Sequence, residues 1–319
     1  VHALKRLGLV GYLPATGFAP ELETELQRLG ITILTRHGTL LLAAGPPRRP
    51  AWAADVWDDP QELPAPSIAR AAAQLRELQR NWVLLEPPAH YRRARLIAER
   101  LPYVRMRPLR FPEPPPEAPL GGWTLLDRER LLAAPTTANP FPHGEVHFHE
   151  DRLNPPNRAY LKLWEALSRL PERPQAGERA VDLGAAPGGW TWVLAQLGAE
   201  VMAVDKAPLA ASIAALPEVT PERVSAFALA PQSLGPIDWL CSDLICYPQR
   251  LYRLICDWLS RGQVRNFVVT VKFQHTTDFE AQAAFAALPG SQLLHLHHNK
   301  HELTWMSLAR WRTDPTSAT

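Results

Sequence analysis

Two aspartates, a lysine and a glycine-rich turn stand where this chain could do chemistry. Gly184-Ala185-Ala186-Pro187-Gly188-Gly189 follows the apolar run Ala180–Leu183 and precedes Trp190–Leu197 at helical spacing, so a ligand can approach the backbone closely there. Asp205 closes the next apolar run, 21 positions after Gly184, where a carboxylate accepts hydrogen bonds from the two hydroxyls of a ribose. Asp243 and Lys272 close two further runs, Ile237–Ser242 and Asn266–Val271. Ligands of open α/β sheets bind beyond the carboxyl ends of parallel strands, so these three polar groups are expected to converge on one crevice. Together they describe a site for a nucleoside-containing cofactor.

The elements that must position these groups read as strand, turn, helix and strand in repeated units. From residue 151 to 319 the pattern is α/β, a doubly wound, mostly parallel sheet of Rossmann-like type. Its further elements are a helix over 157–167 with Asn157 as N-cap, a strand over 223–229, helices over 247–260 and 278–288, and strands over 292–297 and 303–310. Residues 1 to 150 read as a smaller α+β domain. It has a strand at 7–13, a helix at 20–29, a hairpin at 31–42 turning at Gly38, a Pro- and Trp-bearing linker at 46–66 and a helix at 67–80 capped by Ser67. A strand at 82–85, a helix at 91–100, strands at 104–107, 122–126 and 145–149, and an extended Pro-rich connector at 111–119 complete it. Arg92, Arg93, Arg95, Arg105 and Arg107 make 91–107 the most basic stretch, a candidate surface for nucleic-acid phosphates.

Composition narrows the field less than the motifs do. The 319 residues, 46% hydrophobic, suffice for two cores, and a net charge of +2 with pI near 8.5 permits an RNA partner without pointing to one. Of Cys241, Cys246 and Cys256, the first two lack a second pair to complete a zinc site, and all three read as reduced core thiols. His143, His147 and His149, like His295, His297, His298 and His301, read as ordinary polar residues, so no metal is expected. No apolar run matches a membrane span and Lys5-Arg6 with 7–13 is too short for a signal peptide, which gives a cytoplasmic expectation. A pyrophosphate-binding turn is disfavoured, because Ala186 takes the second glycine position and Pro187 removes an amide donor. That argues against an NAD-dependent oxidoreductase.

The segment Asp182-Leu183-Gly184-Ala185-Ala186-Pro187-Gly188-Gly189-Trp190 resembles the first motif of S-adenosylmethionine-dependent methyltransferases, above all the FtsJ-like RNA ribose 2′-O-methyltransferases. Asn157-Arg158-Ala159-Tyr160-Leu161-Lys162-Leu163 is similar to that family's S-R-A-x-x-K-L, with Asn157 replacing the serine. Lys162, Asp243, Lys272 and Glu302 match its K-D-K-E tetrad in order and context. The chain has five lysines, Lys5, Lys162, Lys206, Lys272 and Lys300, and two of them fall on the tetrad, where an ammonium that can lose its proton is needed and a guanidinium would not serve. The resemblance implies S-adenosylmethionine held by Asp182, Gly184, Ala185, Pro187, Gly188, Gly189, Trp190 and Asp205. It also implies Lys272 as base, Asp243 and Glu302 orienting the lysines and the hydroxyl, and Lys162 assisting electrostatically. Burial and a neighbouring ammonium favour a neutral lysine, while the carboxylates oppose it.

Within the family, Asn139-Pro140-Phe141, Ile237-Asp238-Trp239 and the 296–302 stretch are similar to the M type of bacterial enzymes acting on large-subunit (23S) ribosomal RNA. That likeness implies a THUMP-containing RNA-binding region in residues 1–150. Phe227-Ala228-Leu229-Ala230-Pro231 departs from the family, lacking the acidic residue near the adenine, and leaves that contact to backbone or Gln232. The alternatives are a catalytically idle RNA-binding protein on the same fold or a ribose 2′-O-methyltransferase acting on another RNA, and the oligomeric state is not legible.

Overall fold

A computed structural model describes residues 5–6, 8–104 and 107–314, and divides the chain into two compact units, Val1–His147 and Phe148–Thr319. The first runs β1 (Lys5–Arg6), β2 (Leu9–Pro14), α1 (Ala19–Arg28), β3 (Ile33–His37), β4 (Leu40–Ala44), β5 (Ala53–Asp58), β6 (Gln61–Pro64), α2 (Ile68–Leu78), β7 (Trp82–Leu84), α3 (Tyr91–Ala98), β8 (Gly121–Leu125) and β9 (Arg130–Ala134). Its strands form a four-stranded sheet, β3-β4-β2-β5, and a five-stranded sheet, β1-β6-β9-β8-β7. Ser67 Oγ accepts the Arg70 N–H and caps α2 as expected. The apolar stripes of α2 (Ala71, Ala72, Leu75) and α3 (Ala94, Ile97) pack with Trp82 and Trp123. Trp57 is buried among Leu13, Leu40, Leu42, Leu132 and Ala134, and Gly122 lies so close to its indole that any Cβ there would collide with it.

The structure corrects several expectations in this unit. The stretch expected to be a linker, 46–66, carries β5 and β6, because Trp52 and Trp57 are fully buried and the prolines sit at strand ends rather than inside them. The buried run Leu131–Ala134 forms β9, a strand its sequence did not announce. No strand forms at 145–149; a short 3₁₀ turn at Pro142–Gly144 precedes it and leaves His147 and His149 exposed. Of the strand expected at 104–107, Arg105 and Met106 lie outside the described residues, and Val104 and Arg107 belong to no strand.

The second unit runs α4 (Tyr160–Arg169), β10 (Arg179–Leu183), α5 (Gly189–Gln196), β11 (Glu200–Val204), α6 (Ala211–Ala214), β12 (Val219–Glu222), β13 (Pro236–Ser242), α7 (Pro248–Arg261), β14 (Gln263–Lys272), α8 (Phe279–Ala286), β15 (Ser291–Leu294), β16 (Glu302–Ser307) and α9 (Ala309–Thr313). One seven-stranded mixed sheet results, ordered β12-β11-β10-β13-β14-β16-β15. Neighbours from β12 through β14 pair parallel, whereas β16 is antiparallel to both β14 and β15. Strands such as β13 and β14 are apolar through most of their length because helices cover both faces, and burial of a side chain like Phe267 or Trp305 stabilises by roughly 1.5–3 kcal/mol. In α7, Leu251, Leu254, Ile255 and Trp258 recur at helical spacing and are buried.

The chain steps outward from β10 to β12 and then returns to β13 on the other side of β10. Ligands bind at such a reversal of strand order. Three local details differ from expectation. The edge strand lies at Val219–Glu222 instead of 223–229, where a 3₁₀ turn at Ala226–Ala228 forms; β16 ends at Ser307; and α4 starts at Tyr160, with Asn157 Oδ1 accepting the Ala159 N–H ahead of it. Among the described residues no helix is long and apolar enough to cross a membrane.

Candidate active site

Four elements deliver one charged residue each to a single cluster. Lys162 comes from α4, Asp243 follows β13, Lys272 ends β14 and Glu302 begins β16. The antiparallel register of β14 and β16 sets Lys272 directly opposite Glu302. Lys162 Nζ donates to both Asp243 oxygens, at 2.7 and 2.8 Å, and lies 3.1 Å from Glu302 Oε1. Lys272 Nζ lies 2.8 Å from Asp243 Oδ1 and 3.8 Å from Glu302 Oε2. The two nitrogens therefore face each other across one carboxylate oxygen, and two positive charges are balanced by two negative ones.

The lysines are not equivalent. The Lys162 side chain is 9% exposed and held by both carboxylates, while that of Lys272 is 18% exposed with one close carboxylate contact. Burial pulls the Lys162 pKa down, but the Asp243 and Glu302 carboxylates outweigh it and hold the amine above its ordinary value. Lys162 is thus a fixed ammonium. Lys272 is the more accessible amine of the two.

A fully buried carboxylate, overlooked in the sequence, anchors the loop that carries Glu302. Glu165, on α4, accepts from Arg169 Nη2 at 2.7 Å, from the His297 and His298 backbone N–H groups at 2.9 and 3.0 Å, and pairs with His298 Nδ1 at 2.8 Å. Burial raises its pKa, but Arg169, His298 and the His297 amide together pull it down to about 2. The same loop ties Asn299 Nδ2 to the Glu302 carbonyl at 3.2 Å and donates the Lys300 N–H to Glu302 Oε1 at 3.3 Å. One helix therefore fixes Lys162 directly and, through Glu165, the approach of Glu302. The signal available was the acidic member of a Glu165–Arg169 pair at i,i+4, set between the apolar Trp164 and Ala166. His295 bonds the Lys300 carbonyl and His301 bonds Thr277, so these histidines brace the loop. Among the described residues no group of three metal-ligating side chains is placed to hold an ion.

Next to the tetrad, at the ends of β10, β11 and β13, a cavity of about 370 Å³ is bordered by Gly184, Asp205, Ala226, Phe227, Leu244 and Arg250 among others. Of the eight residues expected to hold a cofactor, Gly184 and Asp205 line it. Asp205 Oδ2 accepts the Ala186 N–H at 3.1 Å and Oδ1 the Ala207 N–H at 2.8 Å, which leaves lone pairs for further donors. The others shape the turn. Asp182 is buried, accepts the Thr191 hydroxyl at 2.7 Å, and is pushed up to about 7 by burial. The Gly184 and Ala185 N–H groups bond the Val204 carbonyl, the Pro187 carbonyl accepts the Ala210 N–H, and the Gly188 carbonyl accepts the Trp192 N–H. Gly188 has φ of +115° and packs on Ile213, Gly189 lies against the Asn157 amide, and the buried Trp190 donates Nε1–H to the Ala159 carbonyl at 2.9 Å. Gln232 is exposed and does not line the cavity; Ser225, Ala226, Phe227 and Arg250 do, with the Arg250 guanidinium 3.8 Å from the Phe227 ring centroid.

The arginine segment has a different geometry. Arg93 Nη2 bonds the Ala65 carbonyl at 2.7 Å and Arg95 pairs with Glu86 at 3.0 Å, whereas Arg92 and Arg107 are exposed and Arg105 lies outside the described residues.

Residues 155–249 match the model of the FtsJ-like methyltransferase family. The chain is 41% identical over 159 residues to ribosomal RNA large subunit methyltransferase M of Halorhodospira halophila, covering 47% of this chain and 46% of that protein. It is 37% identical over 164 residues to the protein of that name from Aromatoleum aromaticum (46% and 44%), and 32% over 228 residues to that of Xanthomonas oryzae pv. oryzae (65% and 64%). Among solved structures, Aeropyrum pernix fibrillarin with natively bound S-adenosyl-L-methionine superposes with a TM-score of 0.36 at 15% identity, covering 58% of this chain and 81% of that one. The chain thus spans about half the length of the first curated relatives it matches. Its second unit carries the FtsJ-like methyltransferase match, and the chain is a homologue of the proteins named ribosomal RNA large subunit methyltransferase M.

Proposed function

We propose that this protein transfers a methyl group from S-adenosylmethionine to a ribose 2′-hydroxyl of RNA, with large-subunit (23S) ribosomal RNA as the substrate. The observation that carries this reading is the junction of Lys162, Asp243, Lys272 and Glu302 in one paired cluster beside the cavity of the glycine turn. The cavity residues fit the cofactor: Asp205 offers free lone pairs to ribose hydroxyls, Gly184 borders the cavity with its missing Cβ letting Leu244 pack close, and Ala226 and Phe227 offer apolar surface to a base. When bound, S-adenosylmethionine supplies a methyl group already activated by its sulfonium.

What remains for the chain is alignment and proton removal. Lys272 takes the hydroxyl proton. Asp243, bonded to both lysines, keeps that amine in place, and Glu302 is set opposite it by the strand register. Lys162 stays charged and stabilises the negative charge that builds on the oxygen. Residues 1–150 are assigned to RNA capture, as a THUMP-like region, and the protein to the cytoplasm. The test is a map of ribose methylation on ribosomal RNA from cells with and without the protein, repeated with purified protein, S-adenosylmethionine and unmodified 23S transcript. One ribose should gain a methyl group in both settings; methylation of a base, or of no nucleotide, contradicts the reading.

A further inference from the structure

The chain leaves Asp243 through Leu244, Ile245, Cys246 and Tyr247 before entering α7. Leu244 turns toward Gly184, where a Cβ would lie 2.7 Å from its Cδ2, and Cys246 is buried. Ile245 and Tyr247 turn out and are 82% and 63% exposed. Scattered exposed apolar residues are ordinary. These two, however, lie within four positions of the catalytic carboxylate and both border the cavity. Tyr247 is the one exposed Phe, Trp or Tyr side chain among the described residues of Phe148–Thr319.

Cations share this rim. Lys206 and Arg250 border the same cavity, Arg250 fixed over the Phe227 ring, and Arg223 Nε donates to the Lys206 carbonyl at 3.1 Å. An aromatic face flanked by cations is what a single-stranded nucleotide requires, the base stacking on the ring and the backbone meeting positive charge. If the acceptor ribose places its 2′-hydroxyl at Lys272, its base hangs from the adjacent carbon and needs a resting place nearby. Tyr247 lies four residues beyond Asp243, so their Cα atoms are at most about 14 Å apart. A base still paired in a helix could not lie on it.

We infer that Tyr247, with Ile245 beside it, is the platform on which the nucleobase of the acceptor nucleotide stacks, with Lys206 and Arg250 holding the flanking phosphates. This rests on the ribose-methylation reading and adds to it an unpaired acceptor base and the residue that positions it. The test uses the full chain with Tyr247→Ala and Tyr247→Phe, both at an exposed position where folding is not at stake.

Three readouts separate the possibilities: S-adenosylmethionine affinity by calorimetry, kcat/KM for 23S transcript, and quenching of a single 2-aminopurine in a single-stranded RNA decamer. Stacking of one base corresponds to about fivefold to a hundredfold in affinity, so Tyr247→Ala should lower kcat/KM by that factor and abolish the quenching, with cofactor affinity unchanged. Tyr247→Phe should keep both. The inference is overturned if Tyr247→Ala retains kcat/KM and quenching, if the parent protein does not quench, or if the loss is in cofactor affinity, which would make Tyr247 a wall of the cofactor cavity. Should the parent transfer no methyl group to RNA, the functional reading fails and the acceptor assignment with it, whereas quenching lost in Tyr247→Ala would still show base stacking at this residue.

Discussion

The tetrad and the arginine segment around α3 are both concentrations of charge, and they are built in opposite ways. The tetrad draws on four elements spread from residue 162 to 302, and its side chains are largely buried and bonded to one another. The arginine segment is contiguous and mostly exposed, with Arg93 and Arg95 engaged by a backbone carbonyl and by Glu86. Charge that is costly to bury is retained where it does chemistry or braces the groups that do. Charge on an exposed helix costs little, so its presence alone says less about function.

Three experiments press on this contrast. The largest effect is expected at Glu165, the buried carboxylate bracing the tetrad. Glu165→Ala strands Arg169 and the His297 and His298 amides, and breaking such a buried pair costs about 3–5 kcal/mol, readable as a lowered midpoint in chemical denaturation. Its pH dependence has a definite sign. Because the folded-state pKa is depressed to about 2, the stabilisation is complete above the ordinary glutamate range and is lost as pH falls from about 4.5 toward 2. Acid unfolding of the parent should therefore include a component in that window that Glu165→Gln lacks; identical profiles would remove Glu165 from the account.

A smaller effect is expected where the contrast is intermediate, at the half-buried Asp205. Asp205→Asn preserves one acceptor for the turn and removes the charge, and the loss of a charge-assisted bond of about 1.5–3 kcal/mol corresponds to roughly tenfold to a hundredfold in S-adenosylmethionine affinity. Calorimetry showing parent affinity in the folded variant would dissociate Asp205 from the cofactor. The smallest effect belongs to the arginine segment. Arg92→Gln with Arg107→Gln should reduce the salt dependence of RNA binding by about 0.7 in logarithmic slope for each phosphate that is no longer neutralised. Arg93→Gln should act on stability instead, because its guanidinium holds the Ala65 carbonyl. A slope unchanged in the double variant would make these two arginines merely solvated.

The parts of the site legible in the sequence were those that obey strand grammar. Asp205, Asp243 and Lys272 were found because an apolar run covered on both faces must end at the functional edge of the sheet. Lys162 and Glu302 needed the family resemblance, since a helix lysine and a strand-entry glutamate carry no local signal. Glu165 was hidden because the loop it anchors, through the His297 and His298 amides, lies more than 130 positions away, while its near partner Arg169 reads as an ordinary i,i+4 helix pair. Asp182 lies deeper than its position in the motif announced. Its place in the glycine motif suggested ligand contact, whereas it is buried against Thr191 and supports the turn from within. In the first unit, Pro-rich flanks concealed β5 and β6, because proline at a strand end and proline in a linker look alike until the buried tryptophans are placed.

The central claim is that the tetrad removes a proton from a ribose hydroxyl, and Lys272→Arg tests it most directly. Arginine keeps the charge next to Asp243 but cannot accept a proton near neutral pH. In single-turnover methylation of 23S transcript, with S-adenosylmethionine binding verified in the same preparation, the account predicts a rate lower by about a hundredfold to ten-thousandfold. A folded, cofactor-bound Lys272→Arg protein that methylates ribose at the parent rate would contradict it.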